Sequence, residues 1–193
     1  MQQPVKAIIF DCFGVIITDA LSILCAELGQ RSPEKMAEMR AVIHAANKGI
    51  IDPNESTTRA AELLGMDVDE YRQSIRDGEV RNRQLLDYII ELRTTYKTAM
   101  LSNITAQGIE RRFPDGELNK YFDEIVVSST IGYAKPEPEA YQAVLDRLGL
   151  EAEECVFTDD RPDYCLGAEQ VGLRAIEFTG FSDFVRRLTE VIS

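Results

Sequence analysis

Asp11, Ser102, Asn103, Lys135, Asp159 and Asp160 lie far apart in the chain, yet each follows or borders an apolar run. Asp11 closes the run Ala7-Ile8-Ile9-Phe10 and precedes a turn containing Gly14, where a buried parallel strand would stop. Ligands of open α/β sheets bind beyond the carboxyl ends of the strands. Taken alone, Asp11 reads equally well as a cap for the next segment. The other five residues shift that balance, because together they describe one chemistry. A carboxylate can attack phosphorus and form an aspartyl phosphate. A serine hydroxyl and backbone amides can hold a phosphoryl oxygen, and a lysine supplies positive charge where negative charge develops. Two more carboxylates beside Asp11 would repel it unless a hard divalent cation sat among them, and an all-oxygen donor set suits magnesium.

The elements that must position these residues follow from the hydrophobic pattern. Short apolar runs at 5–10, 98–101, 124–128, 155–158 and 173–176 read as strands, separated by segments with helical periodicity. Strands alternating with helices predict a parallel sheet with right-handed crossovers. Nothing between 18 and 80 resembles a strand. Ser32-Pro33 predicts a capped helix start, Asp52-Pro53-Asn54-Glu55 has the spacing of a capping box, and Gly29, Gly49 and Gly65 predict helix ends. Residues 79–97 read as one long helix returning to the core. The expected fold is α/β, a Rossmann-like parallel sheet flanked by helices, with an all-helical insertion after the first strand. Its expected division is 1–17 and 81–193 for the core and 18–80 for the insertion.

Bulk properties narrow the partners. The chain has 193 residues, 45% of them hydrophobic, which is enough for a real core. A net charge of −12 argues against nucleic acid. An anionic small substrate would then need a local cluster of cations or a metal. Cys12, Cys25, Cys155 and Cys165 show no C-x-x-C spacing and read as buried free thiols in a reducing compartment. No run approaches the length of a membrane helix, and no secretory leader is visible, so the expected location is cytoplasmic. The oligomeric state is left open.

Four stretches in order resemble the motifs of the haloacid dehalogenase superfamily, across essentially the whole chain. They are Ile8-Ile9-Phe10-Asp11-Cys12-Phe13-Gly14-Val15, Leu101-Ser102-Asn103, Lys135-Pro136-Glu137-Pro138 with Tyr141, and Phe157-Thr158-Asp159-Asp160 running on to Gly167-Ala168. The resemblance implies that Asp11 is the nucleophile and that Ser102 and the Asn103 amide hold the transferring group. It implies that Lys135 clamps nucleophile and phosphate, and that Asp159 and Asp160 join Asp11 as metal ligands. It also places a helical cap between the first two motifs. The implied activity is a magnesium-dependent phosphohydrolase acting on a small phosphorylated metabolite.

Two departures qualify that reading. Phosphatases of the family carry a second aspartate where Phe13 stands, acting as general acid and base. The Phe13 carbonyl can still bind the metal, but its side chain moves no proton, a loss worth about 10²–10⁴ in rate. Tyr164 stands where the family often has Asp or Asn, with Asp163 beside it as a candidate substitute. Phe13 raises a rival, since strict haloacid dehalogenases have an aromatic residue here and expel halide without a metal. Those enzymes have small polar residues in place of the acidic doublet, so Asp159 and Asp160 favour the phosphohydrolase. A third reading is a ligand-binding relic of low activity. Among other residues, His44, Arg40 and Lys48 read as a solvated helix face in preference to a cationic face of the cap, Asp19 as an N-cap or stand-in proton donor, and Arg111-Arg112 and Arg186-Arg187 as surface pairs.

Overall fold

A computed structural model describes residues 3–192. Five parallel strands form one sheet in the order β3-β2-β1-β4-β5, with β1 Ala7–Phe10, β2 Lys97–Ser102, β3 Glu124–Val127, β4 Cys155–Asp159 and β5 Arg174–Glu177. The expected α/β sheet is the observed one. After β1 the chain steps outward through β2 and β3, then returns to the other side of β1 for β4. The order therefore reverses between β1 and β4, and such a reversal opens a crevice beyond the strand ends.

Alternate residues of the central strand feed two apolar layers, as the two-residue period of a strand requires. Ile8 and Phe10 pack with Met100 and Val156 against α5 (Arg83–Leu92) and α10 (Phe181–Ile192). Phe10 meets Phe184 edge-on at 5.7 Å, a favoured aromatic geometry. Ala7 and Ile9 face the other way, joining Ala99, Leu101 and Phe157 under α8 (Pro138–Leu148) and α9 (Pro162–Gln170). Helix α6 (Ala106–Arg112) and the one-turn α7 (Ser128–Ile131) flank the strand ends.

Residues between β1 and β2 form α1 (Ala20–Arg31), α2 (Pro33–Asn47), α3 (Pro53–Leu64) and α4 (Val68–Gly78). These helices have their own apolar centre, built from Cys25, Leu28, Met39, Ala60 and Leu64. Ser32 caps α2, with Pro33 in its first turn, as the sequence predicts. Asp52 caps α3, but Glu55 turns outward to Arg59 at 2.7 Å instead of closing a capping box. The closed box is at Asp67 and Glu70, opening α4. Segment 79–97 is not one long helix. Its first residues pair with the chain leaving β1: Thr18 N–H donates to Val80 O at 3.0 Å and Asn82 N–H to Ile16 O at 2.8 Å. Helix α5 starts only at Arg83, with Asn82 as its cap. Among the described residues, no helix is long and apolar enough to cross a membrane.

Candidate active site

Parallel register brings the strand-end residues to one level. Phe10 lies opposite Thr158 on one side and Met100 on the other, so Asp11 falls between the ends of β4 and β2. The Asp11 N–H extends the ladder by donating to Thr158 O at 2.9 Å, which sets Asp11 beside Asp159. Asp11, Asp159 and Asp160 each present a carboxylate oxygen, and these oxygens lie within 4.8 Å of one another. Lys135, arriving from the loop before α8, places Nζ 2.6 Å from Asp11 Oδ1 and 2.5 Å from Asp159 Oδ2. Its side chain is completely buried, so this is a charge triad removed from water.

Electrostatics follow from that burial. Desolvation is the largest influence on Asp11; with Asp159 beside it, it outweighs Lys135 and raises the carboxyl to about 7. Burial also raises Asp160 to about 6, helped by the nearby charges of Asp159 and Asp19. For Lys135 burial works to lower the value, but Asp11 and Asp159 overcome it and hold the ammonium above its usual range. One lysine thus serves a cluster of three carboxylates, two of which, Asp11 and Asp160, are held above their usual range. An additional cation among those oxygens would remove the conflict, and hard carboxylate donors at this spacing fit a divalent ion such as magnesium.

The second strand end behaves differently for its two residues. Asn103 turns its side chain to the lysine loop: Lys135 N–H donates to Asn103 Oδ1 at 2.8 Å, and Asn103 Nδ2 donates to Lys135 O at 2.9 Å. It fixes the loop that delivers the ammonium. Ser102 is fully buried, and its Oγ has no hydrogen-bond partner among the described residues. An unpaired buried hydroxyl is costly and uncommon. Tyr164 accepts a second bond from Asn103 Nδ2 at 3.2 Å, and Lys135 Nζ lies 5.1 Å from its ring centroid. Asp163 does not take a supporting role toward the site; it pairs at the surface with Arg161 at 2.7 Å.

A cavity of about 620 Å³ is lined by Asp11, Asn103, Lys135, Asp160 and Tyr164 on one side and by residues of α1, α2, α3 and α4 on the other. Phe13 lines it with its ring, and Arg112 stacks over that ring with Cζ at 5.1 Å. Asp19 lines it too, while its carboxylate caps α1 by accepting from Ser22 N–H at 3.0 Å. The expected solvated face of α2 is only partly so, because Arg40 and His44 line the cavity. Lys48 ion-pairs with Glu137 at 2.7 Å, tying α2 to the loop after Lys135. Arg111 and Arg112 depart from the surface pair expected of them: both line the cavity, and Arg112 donates to both Glu79 oxygens at 2.8 and 2.9 Å. Two adjacent arginines on a short helix gave no sequence signal of this, since α4 reaches them only through the fold. Arg186 pairs with Asp183 and Glu190 on the surface, as expected.

The sheet order, the switch point and the four strand-end motifs together define a hydrolase class. The family described as haloacid dehalogenase-like hydrolase matches residues 5–172, and the chain belongs to that family. It is 24% identical over 205 residues to a D-ribitol-5-phosphate phosphatase of Bacteroides thetaiotaomicron, covering 98% of this chain and 99% of that protein. A phosphatase of Mycobacterium tuberculosis is 43% identical over 58 residues, a match spanning 30% of this chain and 27% of that protein. Among solved structures, a family enzyme of Bacteroides thetaiotaomicron in complex with magnesium and inorganic phosphate superposes with a TM-score of 0.73. It is 24% identical and covers 93% of this chain and 98% of its own, a likeness of fold.

Proposed function

We infer that this chain is a magnesium-dependent phosphohydrolase for a small phosphorylated metabolite, working through an aspartyl phosphate on Asp11. The observation that carries this reading is the convergence of Asp11, Asp159 and Asp160 around the buried Lys135 ammonium. Three carboxylates at one point are a liability in a site built to expel halide from carbon, and an asset in one built around a cation. The magnesium and phosphate in the Bacteroides structure support the same reading.

In this reading Asp11, Asp159, Asp160 and the Phe13 carbonyl would hold the ion, which would shield the attacking carboxylate from the phosphate and polarise the phosphoryl group. Lys135 holds Asp11 Oδ1, so the second carboxylate oxygen attacks phosphorus in line. The new O–P bond forms as the ester P–O bond breaks, and the leaving oxygen must acquire a proton. Ser102 Oγ and the Asn103 amide receive the phosphoryl oxygens, and the free hydroxyl of Ser102 is suited to that role. Water then cleaves the acyl phosphate, releasing phosphate and restoring Asp11. Phe13 provides no proton, so esters with good leaving groups are favoured. The helices of 18–80 act as a cap that excludes water and restricts entry to small substrates. The four free, buried cysteines support a reducing, cytoplasmic setting.

The test is a panel of phosphate esters beside short 2-haloacids, each with and without magnesium. Phosphate release that requires the metal is the expected result. Halide release without metal would replace this reading with the dehalogenase, and silence on both panels with tight ligand binding would replace it with the relic.

Gly14 offers an independent check on the ion. Its φ is +80°, and a Cβ there would overlap the Asp160 carboxyl. Gly14→Ala therefore strains the backbone and pushes one proposed ligand away. The variant is expected to melt lower, by about 2–6 °C for a cost near 1–2 kcal/mol. Its magnesium affinity is expected to fall about tenfold or more, the scale of losing one charged contact. Calorimetric titration with magnesium that matches the wild type would show that Asp160 holds no ion.

A further inference from the structure

Beside the Asp11 cavity lies a groove of about 460 Å³ between α4 and α6. Its walls carry Arg72 and Arg76 from α4, Arg111 and Arg112 from α6, and Arg81 from the returning chain, against a single carboxylate, Glu79. In a chain of net charge −12 this is a local inversion of sign. Two of the five arginines are neutralised. Arg112 is held by both oxygens of Glu79, and Arg81 by both oxygens of Glu117 at 2.5 and 3.0 Å.

Among the described residues, the other three form no ion pair with a buried carboxylate. Arg72 reaches only Asp69, at 3.7 Å, a carboxylate 94% exposed to water, and such a pair contributes little. Arg76 donates to the neutral amide of Gln73 at 2.6 Å. Among the described residues, no hydrogen bond or ion pair holds Arg111. Its guanidinium is depressed below its usual value by burial, then by the charges of Arg112 and Arg72. Like charges gathered this way oppose folding, and an anion between them reverses the sign of the interaction.

The groove is not separate from the site. Tyr71, Ile75, Glu79, Arg111 and Arg112 line both the groove and the cavity over Asp11. A ligand with its phosphoryl group at Asp11 can therefore extend past Tyr71 toward the arginines. We propose that the substrate carries a second phosphate, remote from the one transferred, held by Arg72 and Arg111 with Arg76 at the rim. Guanidinium forks match phosphate oxygens two at a time, which makes arginine the suited residue for such an anchor. This rests on the phosphohydrolase reading and names its substrate class as a bisphosphate. The same groove would take a free phosphate as a separate effector, and the two sources differ in what they do to turnover.

The experiment compares alkanediol monophosphates with the matching bisphosphates over a series of chain lengths. At the length that spans the groove, kcat/KM for the bisphosphate is expected to exceed that for the monophosphate by about tenfold or more. In the double variant Arg72→Gln, Arg111→Gln that ratio is expected to fall to about one, with Arg111→Lys between the two because it keeps charge but loses the fork. Equal turnover of both ligands by the wild-type enzyme would overturn the proposal and leave the phosphohydrolase intact. Inorganic phosphate that stimulates monophosphate turnover without competing against the bisphosphate would also overturn it, in favour of an effector site. If no ester is hydrolysed, calorimetry with the same bisphosphates decides the groove alone. Binding weakened about tenfold or more by the double variant supports the anchor, and unchanged binding removes it.

Discussion

Asp11→Asn is expected to stop turnover, by about 10⁴-fold or more, while leaving the protein folded. The amide keeps the shape of the carboxyl but cannot attack phosphorus. Stability is expected to move the other way. In the wild type, burial and Asp159 raise the Asp11 carboxyl from 3.8 to about 7, so the folded chain holds a proton that the unfolded chain has released. Stability from this group is therefore greatest below 3.8 and declines as pH rises through about 7. Asn cannot titrate, and it leaves Lys135 and Asp159 as a neutral pair in place of a triad with excess negative charge. The variant should show a flatter decline of Tm over that pH window in metal-free buffer, and a Tm at neutral pH no lower than that of the wild type. A melt many degrees lower would mean that Asp11 is a structural residue and that the lost activity reports unfolding.

Lys135→Met carries the second large effect, on stability and activity together. The lysine side chain is fully buried and contacts two carboxylates. Removing one partner of a buried ionic cluster leaves uncompensated charge, at a cost of about 3–5 kcal/mol. For a domain of this size that is a fall in Tm of roughly 6–20 °C. The ammonium also restrains the upward shift of Asp11, so without it that carboxyl rises further and is protonated in neutral solution. The proposed nucleophile is then lost even in the folded fraction. Magnesium, if it occupies the carboxylate cluster, should raise the Tm of this variant more than that of the wild type, because it replaces the missing positive charge. Differential scanning calorimetry with and without the metal reads this directly. A variant that melts like the wild type would show that the ammonium is not the counter-charge for the cluster.

What the sequence disclosed followed from how local its signals are. Ala7 to Phe10 is apolar at every position because both faces of β1 are covered, and Asp11, itself buried, marks the point where the strand ends. The same contrast of apolar run and polar stop located Ser102, Asp159 and Asp160. The meeting of Asp11, Asp159 and Asp160 near Lys135 depends on register, which the alternation of strands and helices restricts strongly. The groove of arginines was not legible. Arg72 and Arg111 belong to helices joined only through a long excursion of the chain, and no local pattern says that those two faces meet. The boundary of α5 failed for a related reason: residues 79–82 have good helical neighbours, yet their backbone groups find partners at Ile16 and Thr18. The capping boxes show the limit in miniature. Asp52 and Asp67 carry the same spacing to a glutamate, and a competing arginine, Arg59, decides that only the second closes.

The pairing of Thr18 with Val80 and of Asn82 with Ile16 means that the polypeptide departs from the core and re-enters it through adjacent threads. The gap to be bridged is thus a single hydrogen-bonded step, whatever is strung between the two threads. Closing so short a gap costs nearly the same for a small excursion as for a large one, since the entropy grows only with the logarithm of its length. Helices α1–α4 also fill their own interior. The architecture is therefore expected to tolerate replacement of that whole unit by another of different size, so that one sheet can acquire a new preference by transplantation rather than by gradual revision.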